Sequence, residues 1–318
     1  MNESLNNLIA ETNFINHNLN TIIEKNNLSN AYIFYGPENT GKKATAVKFI
    51  SEIIKKNNSN IDSTIKIQDN NHPDYMIVEP TYLLRGNLVN QSEISSDFNQ
   101  KIKPIIRIEQ IRQIKNFLSR KSIQSDIKCI VIIDAHLFNE ASSNCLLKTL
   151  EEPANGIFIL LTSKINLLID TILSRCQKIK FSAFTNEQLL KIVNESQEIK
   201  AAEIQKIANI DDLIFISNGS PGKLLKNLRW VKKISKDIIL SLKYPDYNYE
   251  EALKLAKIIT EDLNLSDQEI LLDYLQCNWW RKTHRENLVN CLEDIKKNIV
   301  NNIQPRLAWE VGLLRIII

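Results

Sequence analysis

"AYIFYGPENTGKK", residues 31–43, joins a short apolar run to a turn bounded by two glycines and closed by two lysines. An apolar run of strand length that ends in G-x-x-x-x-G-K and opens into a helix is the pattern of a phosphate-binding loop. Gly36 and Gly41 let the backbone approach an anion. Lys42 can reach phosphate oxygens, and the N-terminus of the following helix favours negative charge. The final position of the pattern normally carries Ser or Thr, whose hydroxyl holds Mg²⁺. Here it is Lys43, and an ammonium cannot ligate a metal. The loop therefore reads as a degenerate cradle, with a glycine turn that holds no ligand as the alternative.

Further strand-like runs surround it at Tyr75–Pro80, Cys129–Asp134, Ile157–Ser163 and Lys178–Phe181. Helix-length segments lie between them at Gly41–Lys56, Ile108–Arg120 and Asn139–Glu151. Alternating strands and helices predict an α/β fold with a parallel sheet covered on both faces. "CIVIID" and "IFILLTS" are almost continuously apolar, as central strands of such a sheet are. Two polar stretches, Lys55–Asn71 and Arg85–Pro104, read as surface excursions, the second as a long loop or insertion. After Phe181 the pattern turns helical. Thr185 is positioned to cap a helix that begins with "NEQLLKIV". "SNGSPGKLL", Ser217–Leu225, separates two helical patterns, and further stops fall at Tyr244–Pro245 and Gln304–Pro305. The expected organisation is an α/β domain over 1–183, a small helical domain over 184–225 and a helical domain over 226–318.

The 318 residues carry a net charge of +3, with 43% hydrophobic and 24% charged residues. These are ordinary values for a globular protein. A charge this small does not by itself argue for nucleic-acid binding. No run approaches the roughly 18 apolar residues of a membrane span, and the start of the chain lacks the character of a signal peptide. A cytoplasmic location is expected. Cys129, Cys145, Cys176, Cys277 and Cys291 form no C-x-x-C pair. They are expected to be small buried hydrophobes rather than a disulfide framework or a zinc site.

The run "KCIVIIDAHLFNEA" has the form of a strand ending in an acid, Asp134. A hydrolytic site of this type places a glutamate next, to activate the attacking water. This chain has Ala135, and His136 reads as an ordinary loop histidine. The long stretch "NEASSNCLLKTLEEPANGIFILLTSKINLLIDTILSRCQKIKF", Asn139–Phe181, then resembles the clamp-loader branch of the AAA+ superfamily, with "LLKTLEEP" and "SRCQ" as its most specific elements. "HPDY", His72–Tyr75, and the helix "IRIEQIRQIKNFLSRK" are similar to further parts of that family, and "SNGSPGKLL" falls where the family has its sensor-2 region. The resemblance covers about the first 225 residues, and the helical remainder fits the collar of such proteins.

That resemblance implies an AAA+ parallel-sheet domain, a small helical lid and an all-α collar used for oligomerisation. It implies a non-motor subunit of a heteropentameric machine that places a sliding clamp on primed DNA. The partners would be ATP-binding motor subunits (tau or gamma) and a delta subunit, with no membrane involved. Ser174, Arg175 and Cys176 match the Ser-Arg-Cys of the family's subunit interface. Arg175 is thereby implied as an arginine finger supplied in trans; read from the residue alone, without the motif, it is a structural salt bridge. Thr162 falls near the sensor-1 position or caps its strand. Lys223 falls near the sensor-2 arginine position and touches phosphate or is simply solvated. With Gly36, Gly41, Lys42, Lys43 and Asp134 these complete a degenerate nucleotide site, expected to bind ATP or ADP weakly and to need no cofactor. The family's zinc module is absent, because Phe49–Asn71 contains no cysteine.

"CNWWRKTHRENL", Cys277–Leu288, mixes aromatic and cationic residues. This can mark single-stranded nucleic-acid binding, but a helix with buried tryptophans is the expectation. The apolar "LAWEVGLLRIII" at the end is expected to be buried within its domain or an oligomer. Two other functions stay open: an active ATPase of the same branch, and a stand-alone DNA-binding module. Nothing in the chain suggests polymerase activity of its own, although it would belong to a DNA-directed DNA polymerase holoenzyme.

Overall fold

A computed structural model describes residues 15–57, 71–84, 86–94, 103–151, 156–195, 204–205, 207–242, 244–245 and 247–317. The chain divides into two compact units, Met1–Ala183 and Phe184–Ile318.

The first unit runs α1 (Ile15–Glu24), β1 (Ala31–Tyr35), α2 (Lys42–Asn57), β2 (Tyr75–Val78), β3 (Thr81–Leu84) and β4 (Asn87–Asn90). It continues with α3 (Ile108–Ser119), β5 (Lys128–Ile132), α4 (Glu140–Glu151), β6 (Gly156–Thr162), α5 (Asp170–Leu173) and β7 (Gln177–Lys180). Five strands form one sheet in the order β2-β5-β6-β1-β7, and every pairing in it is parallel. The continuous apolar runs are its centre: β5 and β6 are buried along their whole length. Apolar clusters cover both faces. Tyr32, Phe34, Phe49, Ile53 and Ile159 belong to one, and Ile33, Ile111, Ile130, Leu146 and Leu160 to the other. The successive residues of each strand alternate between these faces, as a pleated sheet requires.

The region read as a long loop from Arg85 is different. It is half of an antiparallel hairpin, in which β3 and β4 pair Tyr82 with Val89 and Leu83 with Leu88. Gly86, at φ +85°, supplies the left-handed residue of its turn. The remainder of that stretch, 95–102, lies outside the described residues. The polar stretch from Lys55 begins as the last turn of α2, where Lys56 Nζ donates to the Ile23 carbonyl at 2.5 Å; residues 58–70 lie outside the described set.

The "HPDY" segment has a structural task. Asp74 is fully buried, and its carboxylate accepts the backbone N–H groups of Ile123, Gln124 and Ser125 at 2.6–3.1 Å. Its own N–H donates to His72 Nδ1 at 3.1 Å. Burial raises the Asp74 pKa, but the backbone donors outweigh it and hold the carboxyl below its ordinary value. The segment so anchored leads directly into β5. The first residue of β5, Lys128, is buried and caps α3 by donating to the carbonyls of Phe117 and Arg120.

The second unit is helical throughout its described residues. It comprises α6 (Asn186–Glu195), α7 (Ile210–Ile216), α8 (Pro221–Lys233), α9 (Lys236–Ser241), α10 (Tyr249–Asp262), α11 (Leu265–Thr283), α12 (Glu286–Val300) and α13 (Pro305–Ile317). Thr185 caps α6 reciprocally with Gln188, and Ser220 caps α8 at the Lys223 N–H. Position 225, taken as the end of a small domain, lies inside α8. In α11, Trp279 is fully buried and donates to the Leu242 carbonyl at 2.8 Å, whereas Trp280 is half exposed. Arg281 is committed to the buried Asp212 at 2.8 Å. In α13, Trp309 and Leu313 are buried, while Leu307 and Val311 remain exposed. Gly312 lets α13 approach α12: a Cβ there would lie 2.2 Å from Ile295 Cγ1. Cys129, Cys176 and Cys277 are buried as expected, but Cys145 and Cys291 are only partly so. Among the described residues no helix is long and apolar enough to cross a membrane.

Replacing Asp74 with Ala removes the acceptor of three backbone N–H groups, that of buried Ser125 among them. It should lower the stability of the first unit by about 2–4 kcal/mol in urea unfolding. A carboxyl whose pKa is depressed on folding stabilises fully above its unfolded value, about 4. That contribution is lost as pH falls through the lower, folded value. The stability gap between wild type and Asp74→Asn should therefore be constant above pH about 4 and close in stronger acid.

Candidate functional site

Five parallel strands end on one edge of the sheet, and in open α/β sheets ligands bind outside these carboxyl ends. The loop after β1 is shaped by backbone constraints. Gly36 sits at φ +145°, and a Cβ on it would lie 2.0 Å from the Phe181 carbonyl oxygen. Its N–H donates to the Thr162 carbonyl at 3.2 Å, and the Phe181 N–H donates to Tyr35 at 2.7 Å. The turn thus continues the hydrogen bonding of β1 with β6 and β7. Gly41 also has positive φ, at +89°. Thr40 Oγ1 closes the turn on the Pro37 carbonyl at 2.8 Å.

Inside this turn the cations are satisfied by the protein itself. Lys42 Nζ donates to the carbonyls of Gly36 at 2.8 Å and Pro37 at 2.5 Å. Burial pulls its pKa down to about 8, against the opposing pull of Asp134 and Glu38. Lys43 pairs with Glu79, just beyond β2, at 3.2 Å. The position that would carry the Mg²⁺-binding hydroxyl therefore holds an ammonium already matched by a carboxylate, and the donor set does not fit a metal–nucleotide. It does retain an anion-compatible loop with a lysine and a helix N-terminus.

At the end of β5, Asp134 adopts a left-handed conformation, φ 48° and ψ 49°, which Asp tolerates better than most residues. The chain turns there into a short 3₁₀ segment, and Ala135 is fully buried in the apolar core. Burial raises the Asp134 pKa; His136 and Lys42 lower it, and Glu38 and Glu79 raise it further. His136 belongs to this cluster rather than to an unattached loop. Its Nδ1 lies 3.2 Å from Thr162 Oγ1, and burial depresses its pKa. Thr162 also accepts the Lys164 N–H at 3.1 Å, capping its strand.

The first unit thus brings together Gly36, Gly41, Lys42, Lys43, Asp134 and Thr162. Lys223 belongs to the second unit, where its ammonium lies 3.9 Å from Asp273. Glu38, Glu79 and His136 were not selected from the sequence. Glu79 carried a usable signal, because an acid directly after a parallel strand lies at the binding edge.

Arg175 follows α5, between buried Ile172 and buried Cys176. Its guanidinium is exposed, donating to the Thr171 carbonyl at 3.0 Å and to Glu151 Oε1 at 2.5 Å. Ser174 Oγ also bonds Thr171, at 3.0 Å. Burial pushes the Cys176 thiol up to about 12, which leaves it protonated and inert.

Family models match almost the whole chain. That of "DNA polymerase III, delta subunit" matches residues 11–185, and that of "Cyanobacterial DNA polymerase III delta prime, C-terminal domain" matches 187–316. The chain is 26% identical over 271 residues to DNA polymerase III subunit tau of Bacillus subtilis, covering 81% of this chain and 43% of that protein. It is 30% identical over 165 residues to subunit delta′ of Bacillus subtilis, covering 50% and 44%. It is 27% identical over 155 residues to delta′ of Pseudomonas aeruginosa, covering 46% and 42%. The matches span less than half the length of each of these relatives. The fold is similar to that of a DNA polymerase III gamma subunit-related protein from Thermotoga maritima. The TM-score is 0.54 at 15% identity, covering 94% of this chain and 98% of that one.

Competitive acetylation across pH should show Lys42 titrating near pH 8, well below exposed lysines at about 10.4. Titration together with the bulk of the lysines would contradict the burial assigned to it. With a degenerate phosphate loop on a five-stranded parallel sheet and family matches along nearly its whole length, the chain belongs to the DNA polymerase III delta-subunit family, with delta-prime subunits among its relatives.

Proposed function

We propose that this chain is the non-motor, delta-prime-like subunit of a replicative clamp loader, acting in the cytoplasm. In this reading it assembles with tau or gamma motor subunits and a delta subunit, and helps place a sliding clamp on primed DNA. Arg175 enters the ATP site of a neighbouring motor. The observation that carries the reading is Ala135. It follows Asp134 where a hydrolytic site needs a glutamate, and it is fully buried in the core, so no carboxylate there can activate a water. The Lys43–Glu79 pair supports it from the metal side. The family membership and the tau, gamma and delta-prime relatives support a place in that machine.

Arg175 has the chemistry for service in trans. A guanidinium stays charged at every physiological pH and forks onto phosphate oxygens. Its backbone is fixed by buried neighbours while its head lies at the surface. The chain's own loop binds nucleotide weakly and supplies no hydrolytic step. An active, tau-like ATPase is the second reading, favoured by the longer match to a tau subunit.

The purified chain should show no Mg²⁺-dependent ATP hydrolysis; turnover by the isolated chain would favour the second reading. In a reconstituted loader, Arg175→Ala should slow the interface it serves on the order of 10³-fold. The steady-state rate then falls by at least that interface's share. An unchanged rate in a fully assembled complex would leave Arg175 as a structural ion pair.

A further inference from the structure

We infer that Glu151 is a positioning residue that parks Arg175. Its carboxylate holds the guanidinium on its own subunit until a phosphate of the neighbour's nucleotide takes its place. The inference rests on the reading of Arg175 as a finger supplied in trans. Both terminal nitrogens of Arg175 are engaged within the subunit, Nη1 by the Thr171 carbonyl and Nη2 by Glu151. These bonds take two of the five N–H donors of the guanidinium and hold its head against its own subunit, so delivery to a neighbour's nucleotide draws it away from them. Glu151 and a phosphate are both anions, so they compete for the position of the one cationic head.

The surroundings suit a latch that opens readily. Glu151 ends α4, whose Leu146 is in the core, and Arg175 lies between core residues Ile172 and Cys176. The two backbones are therefore fixed, and only side-chain rotation is needed to part the heads. The Arg175 and Glu151 side chains are 39% and 53% exposed. An ion pair in that setting is weak and sensitive to salt. It keeps a long side chain in one place without a large barrier to its release, and exposed rotamers exchange within picoseconds to nanoseconds. Buried, the same pair would be costly to break and would act as a lock.

The test is DNA-stimulated ATP turnover of the reconstituted loader with wild type, Glu151→Gln, Glu151→Asp, Arg175→Ala and the double variant Glu151→Gln/Arg175→Ala. Assembly of each is checked by gel filtration. Glu151→Gln should raise kcat at low salt by about 1.5- to 5-fold, the range open to an exposed pair. The advantage should shrink toward unity as salt screens the wild-type carboxylate. Glu151→Asp keeps the charge and should stay close to wild type. In the Arg175→Ala background, Glu151→Gln should change nothing, because the parked group is gone. A Glu151→Gln rate equal to or below wild type, with Arg175→Ala slow, would overturn the latch and leave the finger standing. An unchanged rate for Arg175→Ala would overturn the finger, and the latch with it.

Discussion

The close approach of the Phe181 carbonyl to Gly36 constrains everything at the binding edge. Only a residue without a Cβ can stand there, since an added methyl would lie 2.0 Å from that oxygen. The approach arises because β1 lies between β6 and β7: Gly36, one residue past β1, bonds Thr162 of β6, and Phe181, one residue past β7, bonds Tyr35 of β1. The loop is therefore shaped by the sheet and not by a ligand. The same β6 terminus holds Thr162, whose hydroxyl meets His136 beyond β5. One set of strand ends thus fixes the loop, the acid and the histidine relative to each other.

The cations of the loop have internal counterparts: Lys42 turns onto loop carbonyls and Lys43 onto Glu79, while Asp134 lies in the field of Lys42. The groups that would bind a metal and activate water are replaced by an ammonium and a buried methyl. At the other motif Arg175 stands between buried anchors with its head in solvent, and in the proposed reading this is the charge that meets a partner. Rigid backbone and mobile head are what a group delivered to another subunit needs.

Much of this was legible in the sequence, for physical reasons. Apolar runs such as "CIVIID" and "IFILLTS" report burial on both faces, and they became β5 and β6 within a residue or two of their expected ends. Thr185 was legible as a cap because a cap is a local interaction between residues three apart. The hairpin of β3 and β4 was missed because its strands are short, β3 buried only in its first half and β4 mostly exposed, so no alternation of burial marks them. The partners of Asp74, Lys43, His136 and Arg175 were illegible for another reason. Each is set by contacts between segments distant in sequence, such as Asp74 with Ser125 or Glu151 with Arg175, and a single sequence does not record them.

The most direct measurement is electron cryo-microscopy of the assembled loader with a transition-state analogue of ATP hydrolysis at the motor sites. The account predicts the Arg175 guanidinium within hydrogen-bonding distance, about 2.7–3.2 Å, of a phosphate oxygen in the neighbouring subunit, released from Glu151. Arg175 still bound to Glu151 and Thr171, with no contact to a neighbour's nucleotide, would contradict it.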